Sequence, residues 1–177
     1  MSTILLTFVA SLWLQAVPTQ AYRNSQCSYS FEYPRDWQLV KDPTTTYNCA
    51  TTLRPSDYEK RMAELDVDVF TITVQASGQS FQEAAEDNGF QFNGKWEVLG
   101  RMGMRSQAQV SSSRGWLILR GIASVGCFSE KGGYSGLCDE YRVVAKRNDD
   151  QILVITGGAK TGTVIDIVLK TFKFLTR

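Results

Sequence analysis

Alternation with a period of two runs through this sequence and restricts it to folds built mainly of strands. Ser28-Tyr29-Ser30-Phe31-Glu32-Tyr33 sets polar residues against aromatic ones and stops at Pro34. That is the pattern of a half-buried strand closed by a turn. Leu65, Val67 and Val69 alternate with Glu64, Asp66 and Asp68 and lead into Phe70-Thr71-Ile72-Thr73-Val74, which predicts one continuous strand. Further strands are predicted over 95–99, 106–112, 116–124, 140–146 and 151–156. The polar run Arg147-Asn148-Asp149-Asp150 joins the last two as a hairpin.

Helical signals are few. Ser80-Phe81-Gln82-Glu83 is a capping box, so a helix is expected through Ala84-Ala85-Glu86-Asp87, ending near Gly89. Val164, Ile165, Val168, Leu169 and Phe172 share one face of a second helix over 163–172, with Asp166 and Lys170 as an i,i+4 pair opposite. Ser56-Asp57-Tyr58-Glu59 is another capping box, expected to start a single turn before Met62. Many strands, short turns and two or three covering helices predict an α+β domain, an antiparallel β-sheet flanked by helices.

Residues 1–21 carry no charged side chain, and the apolar stretch from Ile4 to Val17 has the length of a signal-peptide core. Thr19-Gln20-Ala21 places small residues where a signal peptidase reads them. Cleavage before Tyr22 is therefore expected, leaving 22–177 as one exported domain, periplasmic or secreted, with no stable membrane insertion. All four cysteines lie in that part, an even number for an oxidising compartment. Four cysteines allow three pairings that sequence alone does not separate. Short loops between strands favour Cys27–Cys49 and Cys127–Cys138, each worth about 3 kcal/mol in the chain-entropy account.

Composition removes several kinds of chemistry. There is no histidine, so triads using His, His-bearing zinc sites and imidazole switches are excluded. Nineteen basic and 18 acidic side chains give no electrostatic reason to expect nucleic acid as a partner. Gly157-Gly158-Ala159-Lys160-Thr161-Gly162-Thr163 resembles a phosphate loop, yet Thr163-Val164 follows the second spaced glycine where Lys-Ser/Thr is required. The loop reads as a strand-to-helix connection capped by Thr161 or Thr163, with no nucleotide and no cofactor expected.

Two features are candidate partner-binding elements. Glu64, Asp66 and Asp68 would project from one strand face about 7 Å apart, an acidic patch for a basic partner or a contributor to a calcium site. Cys127 to Cys138 would be a disulfide-stapled excursion carrying Lys131 and Tyr134. Constrained loops lower the ordering cost of binding, and Tyr is a favoured contact residue. Arg101, Arg105, Arg114 and Arg120 are spread among strands and read as scattered.

The segment Phe31-Glu32-Tyr33-Pro34-Arg35-Asp36-Trp37, an aromatic strand, a Tyr-Pro turn and a Trp, resembles the opening of the PsbP-like proteins. Residues 163–174, a helix leading to a short Thr-Phe strand, resemble their close, and the Ser80 helix falls between the two. The resemblance implies an α/β/α sandwich and a role in binding another protein rather than in catalysis, such as immunity, inhibition or envelope assembly. The expected function is thus an exported non-catalytic module binding another protein. The alternatives are an envelope hydrolase using Glu64, Asp66, Asp68, Asp139 and Glu140, or a calcium- or small-ligand-binding protein.

Overall fold

The computed structural model describes residues 17–40, 49–129 and 132–176. Chain order begins with β1 (Thr19–Asn24), β2 (Tyr29–Pro34), β3 (Trp37–Val40), β4 (Ala50–Pro55), helix α1 (Tyr58–Leu65), β5 (Ile72–Ser77) and α2 (Phe81–Asp87). It continues with β6 (Phe90–Phe92), β7 (Trp96–Leu99), a tight helical turn at Arg101–Gly103, β8 (Arg105–Gln107), β9 (Gln109–Ser113), β10 (Trp116–Phe128) and β11 (Tyr134–Lys146). It closes with β12 (Ile152–Gly158), α3 (Gly162–Thr171) and β13 (Lys173–Phe174). The expected α+β architecture with an antiparallel sheet and covering helices is the one observed.

The central sheet has the order β3-β4-β5-β12-β11-β10-β9. Ile152, Leu153, Val154 and Ile155 of β12 are all buried, which an antiparallel strand shows only when both of its faces are covered. Leu153 and Ile155, with Val143 and Ala145 of β11, pack under α3 and the β1-β2-β13 sheet. Ile152 and Val154, with Val144, pack against Ala84 and Ala85 of α2 and against Phe90 and Val98 of the β6-β7-β8 sheet. The single-residue alternation of the strand thus divides one hydrophobic run between two cores.

The first core is aromatic. Phe31 stacks with Tyr29 and Phe172, and Trp116 meets Phe172 edge-on at 6.0 Å. Such pairs add roughly 0.5–1.5 kcal/mol beyond the area they bury. β1 pairs along the whole of β2, from Thr19 opposite Pro34 to Asn24 opposite Tyr29. The strand therefore runs across the bond expected to be cut before Tyr22, and residues 1–16 of the expected signal segment lie outside the described residues. Among the described residues no helix is long and apolar enough to cross a membrane.

Several local expectations are met. The capping box at Ser80 is complete: the Glu83 amide donates to Ser80 Oγ, and the Ser80 amide donates to the Glu83 carboxylate. That backbone bond is the main cause of a Glu83 pKa below the ordinary carboxylate value. Gly89 follows α2 with φ +75°. Both favoured disulfides are formed, with Cα–Cα separations of 5.5 Å for Cys27–Cys49 and 5.6 Å for Cys127–Cys138.

Others are corrected. Of the strand expected from Glu64 to Val74, only Ile72 to Val74 is formed, as the start of β5. Glu64 and Leu65 finish α1, Asp66 is its left-handed cap at φ 53°, and Asp68 lies in the connection to β5. Asp68 makes that connection turn: its Oδ1 accepts from the Phe70 and Thr71 amides and its Oδ2 from the Thr71 hydroxyl. Near Ser56 the helix runs over two turns, and the N-cap is Asp57, without a side-chain capping bond. Asp166 does not pair with Lys170 either; the Arg120 guanidinium reaches it at 2.6 Å across from β10.

Candidate partner-binding surfaces

β10 and β11 outrun their neighbours. β9 follows β10 only to Arg120, and β12 follows β11 only back to Glu140. From Ser124 to Phe128, paired with Tyr134 to Asp139, the hairpin has no strand of the central sheet on either side. An isolated two-stranded ribbon is marginal in water. Here Cys127–Cys138 ties its two strands together. The tip is closed by the Ser129 amide donating to Gly133 O, the Gly132 amide to Ser129 O, and the Gly133 amide to Ser129 Oγ.

This arm carries its large apolar side chains in solvent: Phe128 is 58 % exposed, Tyr134 56 % and Leu137 49 %. The Phe128 and Tyr134 rings meet edge-on at 6.0 Å. The Arg101 guanidinium lies 4.6 Å from the centre of the Tyr134 ring, so the Arg101–Gly103 turn is drawn onto the arm. Met102 and Met104 beside it are exposed as well. Aromatic, Met and Arg side chains standing together in solvent are the composition of a protein-binding patch.

Arg142 fixes the base of the arm. Its guanidinium donates to Asn88 O, Leu99 O and the Glu140 carboxylate, at 3.1, 3.3 and 2.7 Å. One side chain so ties the end of α2, the end of β7 and the inner part of β11 together. Nothing in the sequence singled it out, because two of its three partners are main-chain carbonyls remote along the chain.

Beside the arm, on the α2 face of the sheet, is a cleft of about 370 Å³ floored by Thr73, Thr156 and Gly158 and walled by the Cys127–Cys138 bridge. Asp68, Asp139 and Glu140 line it. The fold thus brings Asp68 to the stapled arm, whereas Glu64 and Asp66 are not on this cleft and share no strand face with it. Asp68 is engaged by its own turn and Glu140 by Arg142. Among the described residues no three acidic or cysteine side chains cluster as metal ligands would. Tyr134 stands on the exposed face of the arm, and Lys131 lies outside the described residues.

The glycine-rich loop is closed upon its own chain. The Gly158 amide donates to Thr71 O, the Lys160 amide to Val69 O and the Thr161 amide to Gly158 O. Thr161 is fully buried, and its hydroxyl donates to Gly158 O at 2.6 Å. A phosphate cradle needs such amides turned outward.

A second concavity, of about 480 Å³, was not legible in the sequence. It lies on the opposite face of the sheet, between α3 and the β9–β10 hairpin. Half-buried Trp116 and Ile118 form its floor, and Arg114, Arg120, Arg147, Lys170 and Lys173 surround it, with Asp166 as its single acidic residue. Arg114 and Arg120, read from the sequence as scattered, converge here.

No protein-family model and no curated protein sequence matches the chain. Among solved structures, the chain is similar to the solution structure of cyanobacterial PsbP (CyanoP) from Synechocystis sp. PCC 6803. Identity is 13 % and the TM-score 0.48, over 92 % of this chain and 95 % of that one. It is similar also to the crystal structure of the Saccharomyces cerevisiae Ran-binding protein Mog1p, at 12 % identity and TM-score 0.48, over 90 % of this chain and 97 % of that one. The first of these bears the name of the proteins that the ends of the sequence resemble.

Proposed function

We propose that this chain is an exported, non-catalytic protein-binding module whose stapled β10–β11 arm docks on a partner protein. The observation that carries the reading is the exposure of Phe128, Tyr134 and Leu137 on a ribbon that a disulfide holds in one shape. Exposed rings on a mobile segment would lose much of their binding energy to ordering, and the staple reduces that loss. Aromatic anchors backed by Arg101 and rimmed by Met102 and Met104 suit a hydrophobic centre of contact. Two disulfides fit folding in an oxidising compartment, the kind an exported chain would meet. Immunity, inhibition and envelope assembly are the specific forms such a module would take.

A photo-crosslinking residue placed at Leu137 tests this within the native envelope. The account expects one discrete crosslinked product there, and none from the same residue placed at the exposed Gln38 on β3. Equal labelling at the two positions, or none at Leu137 in a folded protein, contradicts it.

A further inference from the structure

A cationic groove lies on the α3 face of the sheet, lined by residues that the arm does not share. Among the described residues, no carboxylate pairs with Arg114, Arg147, Lys170 or Lys173. Arg114 donates instead to the main-chain oxygen of Lys170 at the end of α3. Arg120 is balanced by Asp166. The chain as a whole is near neutral, so four uncompensated cations around one concavity form a local concentration of positive charge.

The wall of this groove is a sheet edge. β9 is the last strand of the central sheet, and among the described residues nothing pairs with its outer side. Its sequence, Gln-Val-Ser-Ser-Ser, is exposed throughout and has no charge, proline or bulge. Those are the devices by which edges are ordinarily kept from pairing. The two-residue turn after it, Arg114 and Gly115 at φ 52° and 79°, matches the twist of the β9–β10 hairpin and sets Arg114 at the end of the edge. Gln109, Ser111 and Ser113 face the groove with short or uncharged side chains, leaving passage toward Arg120, Trp116 and Ile118.

We infer that the groove receives an extended acidic segment of a polypeptide, laid along β9 as an added strand. Main-chain bonds to the free edge supply affinity. Alternate side chains of the added strand fall on the groove face, where carboxylates meet Arg114, Arg120 and Arg147. An anionic polymer without amide groups would use the charge but not the edge, so the peptide is the occupant that accounts for both features.

Titration of the purified, disulfide-intact protein with a labelled octapeptide of alternating glutamate and valine tests the inference. Binding is expected to be lost with the lysine–valine counterpart and to weaken several-fold between about 50 and 300 mM salt. Arg147→Glu combined with Lys173→Glu alters two exposed side chains and is expected to weaken binding at least about tenfold with an unchanged circular dichroism spectrum. Of two probes N-methylated on alternate amides, one is expected to fail, because only one set of amides faces β9. Equal binding of both methylated probes and the parent overturns strand addition. Equal binding of the lysine peptide, or no effect of the double variant, overturns the groove as the site. Absence of peptide binding where a heparin fragment binds overturns the polypeptide occupant in favour of an anionic polymer. Tyr134→Ala is expected to leave the octapeptide affinity unchanged, which separates this result from the behaviour of the arm.

Discussion

The guanidinium of Arg101 lies 4.6 Å from the centre of the Tyr134 ring, joining a turn of the small β6-β7-β8 side of the molecule to the returning strand of the arm. Gly126 permits this approach, since an added Cβ there would collide with the Arg101 guanidinium. Arg101→Ala is expected to lower stability by only about 0.5–1 kcal/mol, the worth of an exposed cation–π contact. It should also broaden the backbone amide resonances of residues 132–138 in solution. Unchanged resonances there would show that the disulfide alone orders the arm.

Gly158 lies against the main chain of Val69, and an added Cβ would overlap it. Gly158→Ala therefore forces apart β12 and the segment leading into β5, at an expected cost of about 1–3 kcal/mol. Urea denaturation measures it. An unchanged midpoint would mean that the Val69 segment yields freely, and with it the wall of the acidic cleft.

The Tyr29 hydroxyl is buried between Thr51 Oγ1 and Cys49 O. Burial, more than any other cause, raises its pKa above the ordinary 10.0. A raised folded-state pKa contributes stability that is complete below pH 10.0 and is lost as pH rises through the folded value. The urea midpoint is accordingly expected to fall above pH 10. Tyr29→Phe should reduce that fall while lowering stability near neutrality by about 1 kcal/mol through the lost hydrogen bond. An alkaline profile identical in the variant would remove Tyr29 from the titration; Tyr33 and Tyr58, whose values burial also raises, would then account for it.

The fold was legible where local chemistry agrees with the tertiary outcome. Ser80 and Glu83 cap each other within one turn, and each disulfide closes a short segment, so neither required knowledge of distant residues. The Glu64–Asp68 alternation misled because Leu65 and Val67 have the spacing of a strand while Asp66 and Asp68 supply turn chemistry. A left-handed cap and a carboxylate bound to the amides two and three residues ahead break the chain where periodicity continues it. The groove was hidden for a different reason. Its cations come from the β9–β10 turn, β10, the β11–β12 turn, the end of α3 and β13, and only the strand order brings them together. Arg142 is the same case within the arm.

The central claim concerns the arm, and comparative capture tests it most directly. Immobilised disulfide-intact protein and a Phe128→Ala, Tyr134→Ala, Leu137→Ala variant would be exposed to the same envelope and secreted fraction of the source. Melting temperatures would be measured for both. The account predicts one protein retained at equal stoichiometry by the unaltered chain and lost from a variant that melts nearly as before, because the three side chains are exposed. The same protein retained equally by both would contradict the arm as the docking surface.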